Sequence, residues 1–223
     1  MKFLVGERVV SVEPQTVIAA GFTGRDREAV EAHLKELAAL GVTVPDRIPS
    51  FYPVPASLAV QADRISVTHA DTSGEAEVAL VVAGGHTYVT VASDHTDRLA
   101  EASDIAMSKL MCPKVLAAEA WPLDEVAGHW DALELQSWIG THGTTELYQE
   151  GRAEMLLPPA ELLSLIPFQE RLHSFIVLAG TLPAIGGIRP GDHFRARLYD
   201  PVLARSLSLS YTVGVLDHLV GEP

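Results

Sequence analysis

The chain has 223 residues, 48% hydrophobic and 20% charged, which is enough for a sizeable core and excludes a largely disordered polymer. Its 29 Asp and Glu against 16 Lys and Arg give a formal charge of -13, a surface that repels phosphate backbones, so no nucleic-acid partner is expected. A single cysteine, Cys112, excludes an intramolecular disulfide and any multi-cysteine zinc or iron-sulfur centre, and it leaves open whether some carboxylates gather around a cation.

No apolar stretch approaches the roughly 20 residues that cross a bilayer. Glu7 and Arg8 interrupt the start of the chain, so neither membrane nor signal peptide is expected, and the expected location is the cytoplasm. In chain order, Phe3-Leu4-Val5, a Gly6 turn and Val9 to Val12 read as two short strands. Thr16 to Ala20 reads as a third, ending at Gly21. A helix follows, with Thr23 or Asp26 as its cap, Val30, Leu34 and Leu37 at helical spacing and Gly41 as its stop. The four prolines between Val44 and Pro55 predict an extended loop.

Glu75 to Ala83 and His86 to Ala92 read as strands turned by Gly84-Gly85. Asp97 to Lys109 reads as a helix, Asp131 to Ile139 as a strand, and Pro158-Pro159 as the opening of a short helix that stops before Pro167. Ser174 to Ala179, His193 to Tyr199 and Leu207 to Val213 complete the strands. Strands outnumber helices, and helices are not inserted regularly between them. A mixed α/β, mainly β fold with a few flanking helices is therefore expected. The chain reads as one domain over 1–223, with 1–20 a small N-terminal strand region and 21–223 the core. No dinucleotide or P-loop glycine pattern is present.

The residues that suggest chemistry begin with Glu75-Ala76-Glu77-Val78. Alternation puts Glu75 and Glu77 on one strand face, about 7 Å apart. Two like charges there repel unless a cation lies between them; the other reading is a solvated strand end. If the next strand pairs as a hairpin, Asp94 comes beside the glutamates, and three hard oxygens suit Mg²⁺ or Mn²⁺. Asp94 has a competing reading as the cap of the helix that follows. His33 and Glu36 share a helix face at i, i+3, where a carboxylate raises the basicity of an imidazole; the alternative is a surface contact. Lys109 and Lys114 bracket Met111-Cys112-Pro113, and either could stabilise a developing carbanion. Cys112 reads as a buried thiol.

In this order the features resemble the fumarylacetoacetate hydrolase superfamily, as a divergent bacterial branch. The matching motifs are His33-Leu34-Lys35-Glu36 with the proline-rich approach, Glu75-Ala76-Glu77-Val78, and Ser93-Asp94-His95-Thr96-Asp97-Arg98 for an N-D-x-[ST]-x-R turn. Ser108-Lys109-Leu110 and the segment Phe175 to Asp192, with its Gly180-Thr181, follow. The resemblance implies a β-roll, a homodimer and one Mg²⁺ or Mn²⁺ per subunit held by Glu75, Glu77 and Asp94. It implies that His33 and Glu36 activate water, that Lys109 faces the reacting carbon, and that Arg98, Glu101 and Thr181 contact substrate. Several positions depart from the family pattern: Ser93 replaces Asn, Glu101 stands where a glutamine is usual, Leu182 is inserted after Thr181, and Lys114 rivals Lys109.

The activity implied is metal-dependent hydrolysis of a carbon-carbon bond in a small oxo acid or 1,3-dicarbonyl compound through an enolate. Decarboxylation, isomerisation and hydration share that enolate and remain alternatives. A non-catalytic small-acid-binding protein of the same fold is a further one.

Overall fold

The computed structural model describes residues 1–39, 44–141, 143–167 and 169–216; for His33, Glu36 and Leu37 it describes the backbone but not the side chains. Gly41, the expected helix stop, lies outside the described residues. Among them, no helix is long and apolar enough to cross a membrane.

Two sheets carry the fold. The first has eight strands. In hydrogen-bonded order seven of them are Ser50–Pro55, Thr16–Gly21, Ser174–Thr181, Ala76–Ala83, His86–Asp94, Lys114–Leu116 and Ala59–Val60, and Trp121–Pro122 also pairs with His86–Asp94. The second has five: Thr144–Arg152, Glu134–Thr141, His193–Asp200, Arg205–Val215 and Arg64–Val67. The expected mainly β architecture with a few flanking helices is what the chain adopts.

The central strand Ala76–Ala83 shows why the sheet sits where it does. Alternate side chains enter two different cores. Ala76, Val78 and Leu80 pack with Val89, Leu135, Phe194 and Leu198 toward the second sheet. Ala79 and Val81 pack on the opposite face with Val17, Ile176 and Leu178, and Phe3 and Val12 of the N-terminal region close over them. A strand buried on both faces needs an unbroken apolar run, and Val78 to Val82 supplies it. Its partner follows through a tight turn in which Gly84 and Gly85 both have positive φ, as a two-residue hairpin requires.

Four expectations change. The region 97–109 is two helices, Arg98–Glu101 and Ile105–Leu110, because Asp104 is extended and its carboxylate accepts from the Met107 N–H, which starts a new helix. The proline-rich loop contains the strand Ser50–Pro55, tolerated because it lies at the sheet edge, where prolines need not donate outward. The expected strand from Asp131 begins at Glu134, after a 3-10 segment Ala127–Ala132. The strand Thr144–Arg152 was missed. It is an edge strand with mostly polar side chains, so its hydrophobic alternation is weak.

The first helix, Arg27–Ala39, is opened by Asp26, whose carboxylate accepts from the Ala29 N–H at 3.1 Å. Thr23 instead donates to the Ala179 carbonyl at 2.8 Å and so ties the helix approach to the strand Ser174–Thr181.

Candidate active site and metal centre

The hairpin register places the acidic residues. Ala76 pairs with Ser93 and Glu77 with Ala92, so Glu75 and Asp94 stand opposite each other, and the Asp94 N–H donates to the Glu75 carbonyl at 3.0 Å. Glu75, Glu77 and Asp94 each offer a carboxylate oxygen within 4.8 Å of the others. Asp94 is not a helix cap. Asp97 caps instead, accepting from the Ala100 N–H at 2.9 Å, so the Asp94 oxygens are left to face cations.

Three basic residues converge on the trio. Lys109 Nζ lies 2.9 Å from Glu75 Oε2, 2.9 Å from Asp94 Oδ2 and 3.2 Å from the Thr96 hydroxyl. Lys114, on the strand paired with Asp94, is fully buried, with Nζ 2.6 Å from Asp94 Oδ1 and 2.7 Å from the His95 carbonyl. The Arg98 guanidinium reaches Glu75 Oε1 at 3.1 Å, Glu101 Oε2 at 2.6 Å and the Ser73 hydroxyl at 2.8 Å.

The carboxyls respond differently. Burial pushes Asp94 upward, but Lys109 and Lys114 outweigh it and hold the group at about 2. Glu75 behaves alike: burial opposes ionisation, while Lys109 and Arg98 prevail and keep it below the usual range. Glu77 goes the other way. Burial and then the Asp94 charge drive it well above the usual range, only partly opposed by Lys109 and by the Gly180 N–H. Cys112 is buried and its thiol is pushed up to about 11 by desolvation, which leaves it unsuited as a nucleophile at neutral pH.

The trio lines a cavity of about 840 Å³. Apolar walls come from Ala19, Phe22, Val30 and Ile105, and polar edges from Tyr52 and Glu101. Lys109, Arg98 and Thr181 line it, and Lys114 does not. Thr181 donates to the Ala76 carbonyl at 2.9 Å and accepts from Gln149 at 2.7 Å. Asp26, Ala29 and Val30 bring the start of the first helix to the cavity rim. His33 follows Val30 by three positions and Glu36 follows His33 by three. Their side chains lie outside the described residues, so the helix backbone alone relates them to the cavity.

The donor set fits a hard divalent cation. Three carboxylates converge from a rigid hairpin, all oxygen in character, and they form the one such group of possible metal ligands among the described residues. The upward displacement of Glu77 reflects burial together with the crowding of like charge that a cation relieves.

Two features escaped sequence reasoning. Gln149, buried on the missed strand, accepts from the Ala76 N–H and the Ser137 hydroxyl and donates to Thr181 and to the Leu182 carbonyl. It thereby joins the glutamate strand to the Gly180-Thr181 loop. Behind Asp94, buried His95 sits between the Tyr211 and Thr72 hydroxyls at 2.9 Å each, and Tyr211 also meets the Ser93 hydroxyl. Burial, then Lys114 and Arg98, hold His95 down at about 3, so it is a neutral strut rather than a base. Polar residues drawn from three separate stretches of the chain give no local sequence signal for such a network.

Comparison with solved structures finds the same fold. A protein from Oleispira antarctica, provisionally assigned as a fumarylacetoacetate isomerase/hydrolase, aligns with a TM-score of 0.65 at 19% identity, covering 96% of this chain and 99% of that one. A 2-keto-3-deoxyarabinonate dehydratase aligns at 0.64 and 18%, covering 91% and 75%. Cg1458 aligns at 0.61 and 15%, covering 94% and 83%. No curated protein matches in sequence. The fold is that of the fumarylacetoacetate hydrolase-like proteins, as the motif order implies. Residues 20–211 match the model of the family described as Protein of unknown function (DUF2848), and to that family the chain belongs.

Proposed function

We propose that the chain is a metal-dependent hydrolase that cleaves a carbon-carbon bond in a small oxo acid or 1,3-dicarbonyl compound. The observation that carries the reading is the convergence of Glu75, Glu77 and Asp94 within 4.8 Å in the wall of a cavity of about 840 Å³, ample for an organic acid. Glu75, Glu77 and Asp94 would hold Mg²⁺ or Mn²⁺, which when bound supplies Lewis acidity toward two oxygens of a chelating substrate.

The remaining work falls to side chains. In this reading His33, oriented by Glu36, takes a proton from water as its oxygen adds to the substrate carbonyl. The carbon-carbon bond then breaks, and its electron pair stays on the departing carbon as an enolate. Lys109 lines the cavity and offers an N–H to that developing charge. Arg98 keeps Glu75 in place through its hydrogen-bonded fork, and Thr181 and Glu101 border the substrate space. The names of the similar folds, an isomerase/hydrolase and a dehydratase, span reactions that share an enolate. This supports the enolate more strongly than hydrolysis itself. A homodimer is the assembly this reading carries, and native mass checks it.

The test is metal content together with turnover of a panel of oxo acids in added Mg²⁺ or Mn²⁺. Glu77→Gln loses both. Full turnover with unchanged metal content in that variant overturns the proposal. Acid binding without turnover of any panel member favours the non-catalytic binding protein.

A further inference from the structure

Lys109 stands where a metal would compete with it. It sits in the last turn of the helix Ile105–Leu110, and its Nζ has oxygen partners for all three of its donors: Glu75 Oε2, Asp94 Oδ2 and the Thr96 hydroxyl. Two of those oxygens belong to the three carboxylates that converge within 4.8 Å. The ammonium is thus a compact cation lodged between two of the three candidate ligands. A divalent ion of the magnesium kind approaches carboxylate oxygens to about 2.0–2.1 Å. Both cations would draw on the same two carboxylates, and side by side on them they would repel at short range.

Lys114 presents the opposite case. It holds the other oxygen of Asp94, Oδ1, and its remaining contact is the His95 carbonyl, behind the site and away from the cavity. It can stay in place whatever occupies the trio. Lys109 has somewhere else to go. It lines the cavity, its stem has four methylenes, and Glu101 borders the same space as an alternative anion.

We propose that Lys109 and the divalent ion are mutually exclusive occupants of the Glu75–Asp94 oxygen pair. Without metal, the tethered ammonium keeps the carboxylates assembled; metal binding displaces it into the cavity, where the amine meets substrate. The inference rests on the metal-centre reading above and adds an order of events to it. The amine faces the substrate because the metal has arrived.

Titration of metal-stripped protein with MnCl₂, followed by calorimetry, provides the test. Lys109→Met removes the competitor and should bind Mn²⁺ about tenfold or more tightly than the unaltered protein. Equal or weaker binding overturns the proposal. Because the variant could lose its fold, the unaltered protein supplies a second measurement: acetylation of Lys109 by acetic anhydride, followed by mass spectrometry. Saturating Mn²⁺ should speed that labelling severalfold, and an unchanged or slower rate overturns the proposal. If neither protein binds Mn²⁺, the metal-centre reading fails and this inference with it. If the unaltered protein binds, Glu77→Gln does not, and Lys109→Met gains nothing, the metal centre stands and only the displacement falls.

Discussion

The backbone N–H of Gly180 donates to Glu77 Oε2 at 2.6 Å. The bond crosses from the strand Ser174–Thr181 to its antiparallel neighbour Ala76–Ala83, at the point where their register shifts between Leu178 and Thr181. That irregularity turns a main-chain donor away from the ladder and toward a buried carboxylate. The loop that borders the cavity is therefore fastened to a candidate metal ligand.

Gly180→Ala should break that fastening. Gly180 has φ of +99°, and a Cβ there would collide with Thr23 Oγ1, while Thr23 itself is held by the Ala179 carbonyl. Strain and displacement together should cost about 2–4 kcal/mol. For a domain of this size that is a Tm loss of roughly 5–15 °C, readable by circular dichroism. A shift within the error of the melt would show that the loop relaxes freely and that the Glu77 contact is dispensable.

Glu77 should also make metal binding depend on pH. Its carboxyl is raised, so its protonated form favours the folded state. That contribution is full below the unfolded value near 4.5 and is lost as pH rises through the folded value. Asp94 has the opposite sign: held at about 2, it contributes above 3.8 and loses that contribution as pH falls toward 2. Wherever Glu77 carries its proton a metal ion must displace it, so over that range Mn²⁺ affinity should rise with pH, by up to about tenfold per unit, until Glu77 ionises freely. Titrations in buffers of different ionisation enthalpy count the released proton. Affinity flat between pH 6 and 8, with no proton released, would show that Glu77 is already ionised.

The hairpin bearing the acidic residues was legible because three signals agree there: alternation after Glu75, an apolar run without breaks, and Gly84-Gly85 between the strands. From these, the approach of Asp94 to the glutamates follows as geometry. The capping role of Asp94 was a fair alternative that only the observed Asp97 bond removes. The rival lysines could not be separated by sequence because both reach Asp94, one to each oxygen. What distinguishes them is cavity exposure, a tertiary property. The break near Asp104 was hidden because Ala102 favours a helix interior, while Ser103 and Asp104 disfavour one without forbidding it.

Lys114→Met tests the structural half of that pair. The Lys114 ammonium is fully buried, and its loss leaves Asp94 Oδ1 and the His95 carbonyl without their cation. Removing one partner of a buried ion pair typically costs about 3–5 kcal/mol. The urea midpoint should fall accordingly in metal-free protein, and saturating Mn²⁺ should restore part of the loss by pairing Asp94 again. Unchanged stability would mean that Asp94 takes up a proton at no cost, against the downward hold that the two lysines exert on it.

Gln149→Leu should separate loop position from metal binding. The Gln149 amide makes four hydrogen bonds: it accepts from the Ala76 N–H at 2.9 Å and the Ser137 hydroxyl at 2.8 Å, and donates to Thr181 at 2.7 Å and the Leu182 carbonyl at 2.6 Å. Leucine preserves volume and strands all four partners, at a cost of about 2–4 kcal/mol. The urea midpoint should drop with the slope unchanged, the mark of lost stability rather than a changed unfolded state. None of the four partners is a carboxylate of the trio, so Mn²⁺ affinity should move far less than in Glu77→Gln. The Michaelis constant for whichever oxo acid is turned over should rise, because Thr181 and Leu182 border the cavity and lose the amide that holds them. If Mn²⁺ affinity collapses instead, the amide organises the acidic trio itself through Ala76, between Glu75 and Glu77.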